Sequence, residues 1–130
     1  MLVVDASVAL SASGVETGFV VLGDEDLYAP PLMWSEALSV LHELTWRGEV
    51  SAEDARRTKD RFARCPVTRR RPARLYDEAW RVADELGWAR TYDAEYVALA
   101  RLLDCRLVTL DSRLRNGAAR LGIVFGPEGI

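Results

Sequence analysis

Two short apolar runs in this chain each stop at an aspartate. They are Leu2-Val3-Val4-Asp5 near the start and Leu107-Val108-Thr109-Leu110-Asp111 near the end. Runs this short and this uniformly apolar suit strands buried on both faces of a parallel sheet. In open parallel sheets, functional residues gather in the crevice at the carboxyl ends of the strands, so Asp5 and Asp111 are expected to project there. Glu36 falls in the first turn of a helix that follows a strand, and Asp93 opens a strongly apolar helix, so both can face the same edge. Four carboxylates from distant positions would then meet in one pocket. Taken singly, Asp5, Asp93 and Asp111 could each be no more than a helix N-cap, and Glu36 a solvated charge. Taken together they would repel one another, and desolvation adds to the cost. A divalent cation relieves that cost. An all-oxygen donor set without paired His or Cys favours Mg²⁺ or Mn²⁺ over zinc.

The elements that must hold these residues alternate along the chain. Leu27-Tyr28-Ala29 reads as a second strand closed by Pro30-Pro31. Trp34, Leu38, Leu41 and Leu44 then recur at helical spacing up to Gly48. Ser51 followed by Ala-Glu-Asp is an N-cap with acids in the first turn, and it predicts a helix to about Arg64. Pro66-Val67-Thr68 is a brief strand candidate. Leu75, Ala79, Val82 and Leu86 form the next helix, with Gly87 as its C-cap. Thr91 or Asp93 opens another, striped by Tyr92, Tyr96, Leu99 and Leu103. A strand over 106–110, a helix over 112–121 and a strand over 123–125 complete the pattern, and residues 15–23 are expected to form a short helix. Such alternation predicts an α/β fold, a single domain over 1–130 with a mostly parallel central sheet and helices on both faces.

Composition narrows the function further. The chain has 130 residues, 49% hydrophobic and 28% charged, as in a soluble globular domain. No apolar run reaches the ~20 residues that cross a bilayer. The opening residues lack the features of a secretory signal, so a cytoplasmic protein is expected. Cys65 and Cys105 read as ordinary reduced thiols, and the lone His42 as a packing or surface residue, which leaves histidine-based catalysis without support. Trp46 and Trp88 read as core residues, with a dimer surface as the alternative. Net charge is −3, yet Arg64, Arg69, Arg70, Arg71 and Arg74 crowd one stretch. That stretch is either a solvated loop or a rim that contacts phosphates beside the acidic centre.

The motifs Val-Val-Asp5-Ala-Ser7-Val, Pro31 with Glu36 five residues on, Thr91-Tyr-Asp93-Ala-Glu-Tyr96-Val-Ala-Leu-Ala100 and Leu-Val-Thr109-Leu-Asp111 occur in that order. With these spacings the chain resembles the PIN-domain nucleases, and among them the VapC toxins of bacterial toxin–antitoxin pairs. The resemblance spans nearly the whole domain. It implies a three-layer α/β/α sandwich and a divalent-metal endoribonuclease. It also implies a homodimer and a cognate antitoxin whose tail occupies the active-site groove. By position, Asp5, Glu36, Asp93 and Asp111 match the family's acidic residues. Ser7 and Thr109 match small hydroxyl positions that bind a metal water or orient a carboxylate, or else serve only capping and sheet packing. The small, polar segment from Ser11 to Gly18 departs from the longer helical start of many relatives, and Glu95 is expected to point away from the site. An inactive PIN-fold module that clamps RNA or a protein is the alternative. A receiver domain or aspartyl-phosphate phosphatase fits less well: Ser7 stands where the phosphatase needs a second aspartate, and the only lysine, Lys59, lies in a helical stretch.

Overall fold

The computed structural model describes residues 1–129. Five strands, β1 (Leu2–Val4), β2 (Leu27–Ala29), β3 (Val67–Arg69), β4 (Arg106–Val108) and β5 (Val124–Phe125), form one sheet in the order β3-β2-β1-β4-β5. Every pairing is parallel, with Leu2 beside Leu27 and Arg106, and Leu27 beside Val67. All five carboxyl ends therefore share one edge. β1 sits in the middle, and Leu2, Val3 and Val4 are wholly buried, as the uninterrupted apolar run requires.

Six helices cover the sheet: α1 (Ala6–Ser13), α2 (Leu32–Trp46), α3 (Ala52–Ala63), α4 (Leu75–Leu86), α5 (Tyr92–Leu103) and α6 (Ser112–Gly117). α1, α2 and α3 pack on one another, and α4 packs extensively on α5. Connections from β1 through β3 run one way across the sheet, and those from β3 through β5 run back. Right-handed crossovers therefore put α1–α3 on one face and α4–α6 on the other. The result is the three-layer α/β/α sandwich. Ser51 caps α3 by accepting from the Asp54 amide, and Gly87 ends α4 at φ 72°. Glu78, buried in α4, pairs with Arg101 of α5 at 3.1 Å and with Arg81 at 3.0 Å, fastening the two helices. Among the described residues no helix is long and apolar enough to cross a membrane.

The helix expected over 15–23 is a 3-10 turn over Gly18–Leu22, and the first true helix is α1. The strand expected to reach Leu110 ends at Val108, and Leu110 is exposed. The helix expected over 112–121 breaks after Gly117 into a 3-10 turn at Ala119–Leu121. Trp46, expected in the core, is 80% exposed on the last turn of α2, beyond Leu41, the last buried residue of that helix. Trp88 packs partly buried against the core, as expected. His42 is exposed.

Candidate active site

Asp5 directly follows β1, and its backbone is extended while the next residue is helical. Its carboxylate thus sits between strand and helix. Oδ1 accepts from the Val8 amide at 3.1 Å and from the Ser7 hydroxyl at 2.6 Å, and Oδ2 accepts from the Thr109 hydroxyl at 2.5 Å. Asp111 repeats the arrangement after β4: one oxygen accepts from the amides of Arg113 and Leu114, capping α6. For both residues the cap and the site are the same feature. Asp93 is different. The cap position of α5 belongs to Thr91, and Asp93 lies inside the first turn, where it accepts no cap hydrogen bond. Glu36 rises from the first half of α2, and its Oε1 accepts from the Tyr96 hydroxyl at 2.7 Å.

The two hydroxyls knit the strand ends together. Each donates its single proton to Asp5 and uses a lone pair for β4's exit: Ser7 Oγ accepts from the Leu110 amide at 3.0 Å, and Thr109 Oγ1 from the Asp111 amide at 2.9 Å. A hydroxyl has one donor, so this pattern demands an acceptor on both sides of Asp5, which an ionised carboxylate provides.

Asp5, Glu36, Asp93 and Asp111 line one cleft of about 310 Å³ together with Ser7, Leu10, Val40 and Arg113. A neighbouring hollow of about 590 Å³ shares Glu36, Asp93, Asp111 and Arg113 and continues past Arg90 and Trp88. The four predicted acids are thus gathered on the sheet edge. Among the described residues, however, no three His, Cys, Asp or Glu side chains stand close enough to form a ready cation cage. The electrostatics match that spacing. Burial holds Asp5 above the usual aspartate range against the pull of Ser7, Thr109 and Val8, and the charge of Asp111 adds a smaller push upward. Burial raises Glu36, and Asp93, Asp5 and Asp111 add to the rise. Burial also raises Asp93, with Asp111 and Asp5 reinforcing it and Arg113 opposing.

The donor chemistry suits a hard cation. Asp111 and Glu36 each keep one oxygen with no hydrogen bond among the described residues, Asp93 keeps both, and Oδ2 of Asp5 has spent one lone pair of two. Glu95 does not line the cleft, but it is half-buried, and Glu36's charge adds to the burial that raises its carboxyl.

Sequence reasoning treated Tyr96 as part of a core stripe. Its ring is fully buried, yet its hydroxyl reaches from α5 to Glu36, and burial followed by that contact lifts the phenol far above its ordinary value. A tyrosine well inside so apolar a helix was the available signal, since a buried phenol needs a polar partner. Tyr96→Phe is expected to push the Glu36 pKa further up, because the hydroxyl is the main force lowering it. Carboxylate ¹³C NMR titration of the variant reads that shift; a Glu36 curve unmoved or displaced downward contradicts it.

A family model described as PIN domain matches residues 2–119. The chain belongs to the PIN-domain family. Among PIN proteins it is 39% identical to VapC ribonuclease Mb0985 of Mycobacterium bovis and to ribonuclease VapC9 of Mycobacterium tuberculosis. Each alignment covers 98% of this chain and all of the relative. These near-full-length relatives make it a VapC-type PIN domain. PAE2754 from Pyrobaculum aerophilum is a structural neighbour at TM-score 0.70 and 30% identity, covering 95% of this chain and 82% of that one. A toxin–antitoxin complex from Klebsiella pneumoniae has TM-score 0.67, covering 98% of both chains, and FitAcB from Neisseria gonorrhoeae 0.63, covering both fully. At 15% identity each, the last two speak to the PIN fold alone.

Proposed function

We propose that this PIN domain is a divalent-metal-dependent endoribonuclease, the toxin of a toxin–antitoxin pair, with Asp5, Glu36, Asp93 and Asp111 as its reactive carboxylates. One observation carries the reading: acids from four separate elements line a single cleft, and the charges of three others raise Glu36 there. Near-full-length relatives named as ribonucleases support the activity. Asp5 and Asp111, with Asp93, would hold Mg²⁺ or Mn²⁺, and Glu36 would join them or orient the attacking water. The ion would neutralise charge on the phosphoryl group and favour in-line attack. Ser7 and Thr109 fix the direction in which Asp5 presents its remaining lone pair. Arg113, exposed at the cleft mouth, offers a cation to the phosphate being cut.

An antitoxin partner, a homodimer and a cytoplasmic location belong to the same reading. The purified protein incubated with a mixed RNA pool tests it. Cleavage is expected with Mg²⁺ or Mn²⁺, abolished by excess EDTA and restored by returning the metal. Cleavage that survives EDTA removes the metal from the proposal. RNA bound but uncut in every metal favours the inactive clamp.

A further inference from the structure

The basic stretch that begins at the last residue of β3 is built differently from the arginines that pair with acids. Arg47, Arg56, Arg57, Arg81, Arg101 and Arg115 each pair with a carboxylate. Arg69, Arg70 and Arg71 make no ion pair among the described residues, although the chain carries 20 acids. Instead, three consecutive guanidiniums lie over three aromatic rings from three elements. Arg69 stacks on Trp34 at 4.6 Å, Arg70 on Tyr28 at 5.4 Å and Arg71 on Tyr76 at 5.0 Å. The backbone beneath them is pinned, Arg69 by its register with Ala29 and Arg70 by its amide donating to the Ala29 carbonyl at 2.9 Å.

Stacking occupies the faces of the guanidiniums and leaves their N–H edges for an acceptor. Only Arg71 uses one, its Nε reaching the Tyr76 hydroxyl at 3.4 Å. Trp34 on α2 and Tyr76 on α4 belong to opposite faces of the sheet, so the three planar cations straddle the carboxyl end of β3, and without anions of their own they call for a ligand with several oxyanions. The row also has a fixed place. β3 lies two strands from β1, about 10 Å away along the sheet edge, and its carboxyl end opens on the same side as Asp5. Trp34, under Arg69, stands two residues before Glu36 on α2.

We infer that Arg69, Arg70 and Arg71 form a docking track for the phosphodiester backbone of single-stranded RNA flanking the cleavage point, leading it along the sheet edge to the carboxylate cleft. This deepens the nuclease reading and rests on it. A single strand fits better than a duplex, because half-exposed Tyr76 can also stack an unpaired base. The inference names which part of the substrate is held outside the reacting phosphate, and by which groups.

Binding of a labelled, mixed-sequence single-stranded RNA in EDTA, over a series of salt concentrations, tests it. Each phosphate contact contributes about 0.7 to the slope of log affinity against log salt for a single strand, so R69Q/R70Q/R71Q is expected to flatten that slope by about 2. The control R47Q/R56Q/R57Q removes the same charge from carboxylate-paired sites and should leave the slope within about 0.5 of wild type. R69K/R70K/R71K should keep the slope and bind more weakly, because lysine keeps the charge and loses the fork. Should the glutamine triple fail to fold, each single substitution should flatten the slope by about 0.7. Equal slopes for wild type and the track variants overturn the inference. So does equal flattening by the control, or a loss confined to poly-glutamate, which would assign the row to an acidic polypeptide. If wild type cleaves RNA while the track variants bind it unchanged, the track falls and the nuclease stands. If wild type neither cuts nor binds RNA, both fall.

Discussion

Asp5→Asn is expected to lower RNA cleavage by more than about 100-fold, the top of the range for losing a group that merely orients a metal ligand. The fold should survive, because asparagine caps a helix about as well as aspartate, and the Val8 amide keeps its acceptor. The chemistry should not. Ser7 and Thr109 both donate into Asp5, one from each side. An amide can accept on one side only, so one hydroxyl must turn its proton away from residue 5 and can at most accept from the new amide group. The cation also loses a full negative charge.

Thermal denaturation separates these effects. In EDTA the variant should melt no lower than wild type, since neutralising a buried anion among like charges removes a repulsion. In Mg²⁺ wild type should gain stability as the ion binds the native state, while the variant gains little. The pH dependence has a definite sign. Asp5, Glu36 and Asp93 are raised in the folded protein from ordinary values of 3.8, 4.5 and 3.8. Between those values and their raised ones the folded state holds more protons than the unfolded. The stability these groups contribute is therefore full below about pH 4 and lost as pH rises through the raised values. Without metal, wild type should lose this contribution on the alkaline side, and Asp5→Asn should lose less of it. A variant that cuts RNA at the wild-type rate, or that melts well below wild type in EDTA, contradicts the assignment.

Gly18→Ala is expected to destabilise the domain by about 3 kcal/mol, the upper part of the usual overpacking range, and to lower Tm by on the order of 10 °C. A β-carbon at Gly18 would overlap the carbonyl oxygen of Ala12 on α1. The obstruction is backbone, so no rotamer can relieve it. Either the 3-10 turn lifts away, exposing Leu22, which is 2% exposed now, or α1 shifts and carries Asp5 with it. Differential scanning calorimetry of the variant reads the loss. A Tm within about 2 °C of wild type shows that the turn moves aside without cost.

The parts of this molecule legible in its sequence are those where one local rule dominates. The strands leading to Asp5 and Asp111 were readable because a doubly buried strand has nowhere to put a charge except at or beyond its ends. The cap at Ser51 and the stop at Gly87 were readable for similarly local reasons. A helix after Asp5 could be read from the cap, but not its extent, because Ala6-Ser-Val-Ala-Leu-Ser-Ala-Ser13 alternates small residues without a 3.6-residue stripe, and it is held by packing on α2 and α3. Trp46 misled because hydrophobicity alone does not say where a helix outruns its support. At the site, the identity of the acids could be read, but their hydrogen bonds could not. Tyr96 reaching Glu36 spans 60 residues, and Thr109 reaching Asp5 spans 104. Nothing in either local segment specifies the partner.

That last span bears on how the protein comes into being. The two hydroxyl bridges join β1 to the exit of β4, with 104 residues between Thr109 and Asp5 and 103 between Leu110 and Ser7. A ribosome that has produced α1, β2, α2 and even α5 has not yet delivered the neighbour against which β1 completes its pairing. Pairings this distant along the chain also close late in folding. A half-made chain therefore carries Asp5 and Glu36 but no finished cleft. The cleft can close only once β4 and Asp111 have been made.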